Sequence, residues 1–446
     1  MRNFILFCVS VLAHAQDFSP RFEEIRKTAS AREMYAFFFD MPKGGDIHHH
    51  LSLSFRAGEW LQAASASQRG YAARVKLSAC EGEEVPQLRW RVVSKATLAT
   101  LSACMQGDFL PLADFNGEQK AAFISALTID KAYEGRNEFF EVIVTRLAEV
   151  SRDPDLVVEL TAQMLKRYAR ENILYVESQY FPPSDAAANL MRARLSQPDV
   201  TDLPVSIRFQ GIAVRFRPDA EQVIERVYDF IARNRDLWVG INMAGREDNS
   251  KGHPLRFLET FRKMRRKYSG IHMSIHAGEM DAPGHEVRNT LLIGAERIGH
   301  GFNLITDPDT MLLLRGGRNL IEVNLVSNRL LEYAPDTGKH PFIEYLRFGI
   351  PVCLNTDDSG VWDSNLSDEY FDASKYFSLT WSEIVQLGRN SLEYSFAQPE
   401  LKKQLLGRFE ANIKGFEQKY ASGDWKSALA KVAAEESGYA RRAILR

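Results

Sequence analysis

The sequence predicts a single (β/α)8 TIM barrel, with an insertion after the first strand and extra helices at the termini. Three observations carry that prediction. From residue 44 onward eight short β-prone runs alternate with amphipathic helical stretches, the mark of a parallel sheet with crossover helices. Four of those runs end in histidines or carboxylates: Gly44–His50, Ile271–Glu279, Arg297–Gly301 and Ile350–Asp358. Active-site groups of barrel enzymes sit at the carboxyl ends of strands. Third, no glycine-rich phosphate turn follows the first run, as a doubly wound open sheet would require.

Taken in order, Met1 to Ala15 carries Arg2, an apolar run Phe4–Leu12 and Ala13-His14-Ala15, the layout of a secretory signal cut before Gln16. An exported protein, secreted or periplasmic, is therefore expected, with residues 16–446 as one domain. No other segment approaches the ~20 apolar residues of a membrane span. Residues 17–43 form an amphipathic lead-in to the first strand, Gly44–His50. Residues 56–115 read as an insertion over the active-site mouth, followed by a helical stretch Lys120–Arg152. The remaining strands are expected at Ile173–Gln179, Val205–Phe216, Leu237–Ala244, Ile271–His276, Arg297–His300, Leu320–Val326 and Ile350–Thr356. Pro218 and Pro254 open helices where a missing N–H costs nothing. Thr380 with Glu383 reads as a capping box, and 400–446 as one or two helices packed outside the barrel.

Charge nearly cancels, with 56 basic against 58 acidic residues giving −2. Such a balance supplies no field to gather nucleic acid or bind an acidic membrane. Cys80 and Cys104 flank a stretch without barrel signals and can staple it in an oxidising compartment. Cys353, inside an apolar run, reads as a buried small hydrophobe.

Alternation along the first strand points His48 and His50 to one face and His49 to the other. With His276 and Asp357 from other strand ends they make a nitrogen-rich set with one carboxylate, suited to one zinc ion and leaving room for water. Zinc lowers the pKa of its water to about 7. Glu279, just beyond its strand, can reach in as a proton donor. His300 can orient or deprotonate the water and steady a developing oxyanion. Asp358 can hydrogen bond to the substrate.

Met41-Pro42-Lys43 followed by D-I-H-H-H-L, then V-G-I-N-M-A-G-R-E, H-A-G-E, R-I-G-H-G and N-T-D-D, in that order over about residues 38–400, resemble the adenosine deaminase family of zinc amidohydrolases. By motif, the resemblance implies zinc held by His48, His50, His276 and Asp357. It further implies that Glu279 protonates purine N1 while hydroxide, assisted by His300, attacks C6 and expels ammonia. Asp358 is implied at N7, and the backbone of Gly245 at N3. The partner so implied is a small purine nucleoside, adenosine or 2′-deoxyadenosine.

One departure bears on specificity. Where the commonest first motif reads H-x-H-L-D-G, this chain has His50-Leu51-Ser52-Leu53, so the family aspartate that contacts the ribose 5′-hydroxyl is Ser52. Serine neither repels a 5′-phosphate by like charge nor leaves a buried acceptor unpaired when the hydroxyl is absent. Looser recognition at that end is expected, unless a carboxylate of the insertion, such as Glu81 or Asp108, takes over. Other aminopurines or modified adenosines remain open as substrates. The export signal and insertion also resemble secreted members that act as growth factors, which leaves an extracellular nucleoside-binding or growth-factor-like role as the reading from a different class.

Overall fold

The computed structural model describes residues 17–80, 88–182, 184–421 and 423–445; the expected signal at 1–15 lies outside them, as does Glu81. Eight parallel strands form one sheet in the order β1, β5, β6, β7, β8, β9, β10, β11. Their ranges are β1 Gly44–His50, β5 Ile173–Gln179, β6 Ser206–Val214, β7 Trp238–Ala244, β8 His272–Ala277, β9 Arg297–His300, β10 Leu320–Val323 and β11 Val352–Leu354. Past the end of β11, Asp357 donates its N–H to His48 O at 3.0 Å and accepts from His50 N at 3.1 Å. This single bridge brings the two edge strands together and closes the barrel at its carboxyl end.

Three strands end earlier than the apolar patterning predicts: β6 stops at Val214, two residues before the predicted Phe216, and β10 and β11 stop for visible reasons. The run after β10, Asn324-Leu325-Val326, turns into the helix Leu325–Leu330. Its first N–H groups, on Leu325 and Val326, are accepted by the Glu369 carboxylate at 2.8 and 3.0 Å. A carboxylate on the free amides of a helix start stabilises that start, and here it arrives from 44 residues away. After β11, Asn355 Oδ1 accepts the N–H groups of Ile47 and His48 at 3.0 and 3.2 Å, so a side chain stands in for the backbone ladder toward β1 at Asn355, before the bridge at Asp357 resumes it. The predicted stretch Lys120–Arg152 is likewise broken into Gly117–Ala126, a π-helical turn Glu138–Ile143, Val144–Leu147 and Val150–Arg152. Between the first two, Ile129 N–H bonds to Val361 O at 3.0 Å, drawing the chain toward the strand ends.

The insertion forms a three-stranded antiparallel sheet of β2 Tyr71–Arg74, β3 Val92–Ser94 and β4 Phe109–Pro111, and Cys80 and Cys104 are disulfide-bonded. Asp108 is fully buried in it, held by Arg74 at 2.9 Å and Ser78 Oγ at 2.6 Å, and so cannot reach a substrate. The lead-in is two helices, Ser19–Thr28 and Ala31–Asp40, the second opened by a Ser30/Glu33 capping box. Phe37 packs edge-on against Phe416 of the C-terminal helix Pro399–Ala421 and against Trp381 of the helix Trp381–Glu393. The Thr380/Glu383 box is formed. Cys353 is buried and free. Among the described residues no helix is long and apolar enough to cross a membrane.

Candidate metal centre and active site

The four strand ends converge. His50 Nε2 lies 3.2 Å from both His276 Nε2 and Asp357 Oδ1, and His48 Nε2 lies 3.5 Å from the same oxygen. One potential ligand atom from each of these four residues falls within 4.8 Å of all the others. His49 points the other way, its Nδ1 2.7 Å from Ser178 Oγ.

The outward nitrogens fix which ring atom is free. His48 Nδ1 faces Glu322 Oε2 at 2.7 Å, and His276 Nδ1 faces Asn242 Oδ1 at 2.9 Å. Each Nδ1–H donates to an oxygen, which leaves Nε2 as a lone pair aimed at the cluster. These lone pairs, His50 Nε2 and Asp357 Oδ1 face one another across the cluster, a set of donors that one cation can satisfy. His48 Nε2 and Asp357 Oδ1 are also buried with no hydrogen-bond partner, although buried polar atoms are normally paired. Against its own burial, the Asp357 and Glu322 carboxylates hold the His48 imidazole up at about 10. The pocket thus stabilises added positive charge, and the residues fit a divalent metal.

Glu322 and its neighbours were not singled out by the sequence pattern. The Glu322 carboxylate also accepts from Ser274 Oγ at 2.9 Å and Arg297 Nε at 2.6 Å, and Arg297 reaches Glu177 at 2.8 Å. All four side chains are buried in the barrel interior. The signal available was a charge inside an apolar strand, in Leu320-Ile321-Glu322-Val323, since such residues are almost never fully buried unless paired.

Around the cluster lie the proposed proton-transfer groups. Burial, with the Asp357 and Glu247 carboxylates adding to it, pushes Glu279 well above the ordinary carboxylate range. Burial and then Asp357 and Glu279 push Asp358 up as well, and its Oδ1 is buried without a partner. Asp357 goes the opposite way: burial opposes ionisation, yet the His48 and His50 imidazoles beside it hold it well below the usual range. The backbone of Glu279 is placed by Glu247, which accepts the N–H groups of Gly278 and Glu279 at 3.1 and 3.2 Å and pairs with Arg215 at 3.2 Å.

His300 lies 3.7 Å from Glu279 through its Nδ1. Burial, then neighbouring imidazolium charge, lowers its pKa well below the ordinary value. Its tautomer can be followed outward. Phe342 N–H donates to His340 Nδ1 at 3.0 Å, so His340 Nε2–H donates to Asn328 Oδ1 at 3.0 Å, and Asn328 Nδ2 donates to His300 Nδ1 at 3.2 Å. Neutral His300 therefore carries its proton on Nε2. Both His300 (φ 63°) and Asp357 (φ 57°) occupy the left-handed region, a strain that persists where surrounding structure imposes it.

These groups open into one cavity of about 150 Å³, below the roughly 300–1,000 Å³ common for ligand sites. One end is polar, with His50, His276, Glu279, His300, Asp357 and Asp358; the other is walled by Leu53, Phe139, Phe140, Val144, Ile212, Val214, Phe216 and Leu331. The roof comes from residues 139–144, and none of the described lining residues comes from 56–115. Gly245 lies between the two ends at φ 109°, and a Cβ there would sit 3.0 Å from the Phe216 ring, so this turn requires glycine. Ser52 does not line the cavity; its carbonyl accepts the Trp60 indole N–H at 3.1 Å, and Leu53 faces the cavity.

Residues 112–412 match the family model described as adenosine deaminase. His48 and His50 precede the matched segment, and the fold returns them to it. An adenosine deaminase of Vibrio cholerae serotype O1 is 34% identical over 210 residues, 47% of this chain and 61% of that protein, so less than two-thirds of that relative is spanned. An N6-methyl-AMP deaminase of Xenopus laevis is 26% identical over 273 residues, 59% of this chain and 76% of the relative. Among solved structures, an amidohydrolase of Burkholderia ambifaria with bound Zn shares the fold at a TM-score of 0.63 and 18% identity, over 87% of this chain and 94% of that one.

Proposed function

The chain belongs to the adenosine deaminase family, and from that premise we propose that it deaminates adenosine or 2′-deoxyadenosine hydrolytically, giving the inosine product and ammonia, with one zinc ion held by His48, His50, His276 and Asp357. What carries the reading is the meeting of those four side chains with two carboxyl groups of raised pKa, Glu279 and Asp358, in one cavity. When bound, zinc would supply the Lewis acidity that makes a water nucleophile available at neutral pH.

The protein's own residues do the rest. Glu279, whose carboxyl burial pushes well above the ordinary range, donates to purine N1, which draws electron density from C6 as attack proceeds. Purine N7 is an acceptor, so the carboxyl facing it has to carry a proton, and the raised pKa of Asp358 provides that form. The backbone N–H of Gly245 serves N3. His300, with its proton on Nε2, serves as a donor that steadies negative charge growing on the attacking oxygen. The amino group takes one of the two protons that the attacking water gives up and leaves as ammonia, and the other restores Glu279.

A neutral nucleoside is favoured over a nucleotide. No lysine or arginine is among the described lining residues. The nearby Arg215, Arg246 and Arg136 are committed to Glu247, Asp248 and Asp281, and a phosphate entering an apolar wall without a counter-charge pays a large desolvation penalty. We also propose export, supported by the Cys80–Cys104 disulfide, a bond that persists in oxidising compartments. Zinc-loaded protein assayed for ammonia release over adenosine, 2′-deoxyadenosine, adenine and AMP tests the function; release from none of them would end it.

A further inference from the structure

Building on the deaminase reading above, we propose that the physiological substrate is an adenine nucleoside whose 5′ end is apolar, a 5′-deoxy or 5′-alkylthio derivative. The wall beyond the purine contains Leu53, Phe139, Phe140, Val144, Val214 and Phe216, with no charged or hydrogen-bonding side chain among them. Two of these are left facing water: Val144 is 37% and Phe216 41% exposed. Large apolar groups held open at the rim of a site mark a surface that a ligand covers.

The direction is set by Gly245. With its N–H at N3, the adjoining N9 and the sugar it bears leave the purine on that side, and the Phe216 ring and Val214 stand 3.0 and 3.3 Å from where a Cβ on Gly245 would project. The sugar's far end therefore emerges between Phe216 and the roof, in the half of the cavity that has no partner for a 5′-hydroxyl. Ser52, the only residue of the Leu51–Leu53 turn with a side-chain hydroxyl, does not line the cavity, and the residue that does is Leu53. Asp108, the described carboxylate expected to substitute, is buried against Arg74. A hydroxyl here would lose its water without replacement, whereas a methyl or thioether would bury apolar surface, at about fourfold in affinity per methylene-sized group.

The test compares kcat/KM of zinc-loaded enzyme for adenosine, 5′-deoxyadenosine, 5′-methylthioadenosine and AMP by ammonia release. The expected order places 5′-methylthioadenosine at least threefold above adenosine and AMP at least a thousandfold below it. Phe216→Ser should lower the ratio of methylthio to parent substrate at least threefold; because this ring is exposed, its replacement leaves the core intact. A methylthio derivative used less well than adenosine, or AMP used comparably, overturns the proposal and leaves the deaminase reading standing. No ammonia from any of the four overturns both.

Discussion

Glu322→Gln offers the sharpest test of how the barrel interior prepares the metal site. The substitution keeps shape and removes one acceptor oxygen and the charge. The carboxylate now serves His48 Nδ1 at 2.7 Å through one oxygen and Arg297 Nε at 2.6 Å through the other. An amide has one oxygen to share between two donors. If it faces Arg297, its NH2 meets His48 and favours the tautomer with the proton on Nε2, which cannot ligate. If it faces His48, the NH2 abuts a buried guanidinium that keeps only Glu177 as a carboxylate partner. Loss of a partner that orients a ligating histidine costs roughly 10–100-fold in metal affinity, or about 1.4–2.7 kcal/mol. Competition of zinc between the protein and a chromophoric chelator near neutral pH measures this directly, with a thermal melt to confirm folding. Ser274→Ala is the control: it removes a hydrogen bond to the same carboxylate, worth about 0.5–1.5 kcal/mol, without touching the tautomer. A folded Glu322→Gln protein that binds zinc within twofold of the parent would refute the reasoning.

Glu279→Gln should keep its zinc by metal analysis and lose about 10²–10⁴-fold in kcat, since an amide cannot hand over the N1 proton; near-normal turnover would remove Glu279 as the acid. Replacing Cys80 and Cys104 together by serine opens a loop spanning 24 residues of sequence, for which chain entropy gives about 3.5 kcal/mol, read as a fall in denaturant midpoint and contradicted by an unmoved one. Asp46 is pushed up to about 7 by burial, against hydrogen bonds from Thr356. The folded state then holds a proton that the unfolded chain releases near its ordinary value of 3.8, so this group's contribution to stability declines as pH rises from about 4 to 7. Asp46→Asn should flatten the stability profile across that window, and an unchanged slope in denaturant titrations would show that Asp46 does not titrate there.

Much of this site was legible because its chemistry is written at strand ends. His48, His50, His276 and Asp357 each close a β-prone run, and a parallel barrel brings such ends together whatever the intervening helices do. The unreadable part is contact between strands. Glu322 meets His48 across 274 residues, and Asn328 positions His300 only because the chain after β10 turns helical under a cap from Glu369. Apolar patterning assigned that segment to the strand, since Leu325 and Val326 are as apolar as their neighbours. The same limit applies to Lys120–Arg152, where periodicity gave a helix but not its break at the cavity roof. At Ser52 motif position suggested a ligand contact, and the turn of 3-10 helix at Leu51–Leu53 presents Leu53 to the cavity in its place.

Asp357 and Asp358 are neighbours in sequence and both buried, yet one carboxyl is held well below the ordinary range and the other is pushed well above it. Burial alone would raise both. The difference arises because the left-handed turn at Asp357 aims its carboxylate at the Nε2 atoms of His48 and His50, while Asp358 turns into the cavity and faces the charges of Asp357 and Glu279. Charge on the first therefore helps to keep the proton on the other two. On the proposed function, the anionic metal ligand and the two neutral acids that the chemistry needs would come from three carboxyl groups through one backbone turn and its imidazole partners. Removing the anion should then weaken both functions together: in Asp357→Asn, the alkaline limb of any residual kcat/KM profile should move to lower pH as Glu279 loses its repelling neighbour. A limb that stays in place would show that burial, and not Asp357, sets the protonation of Glu279.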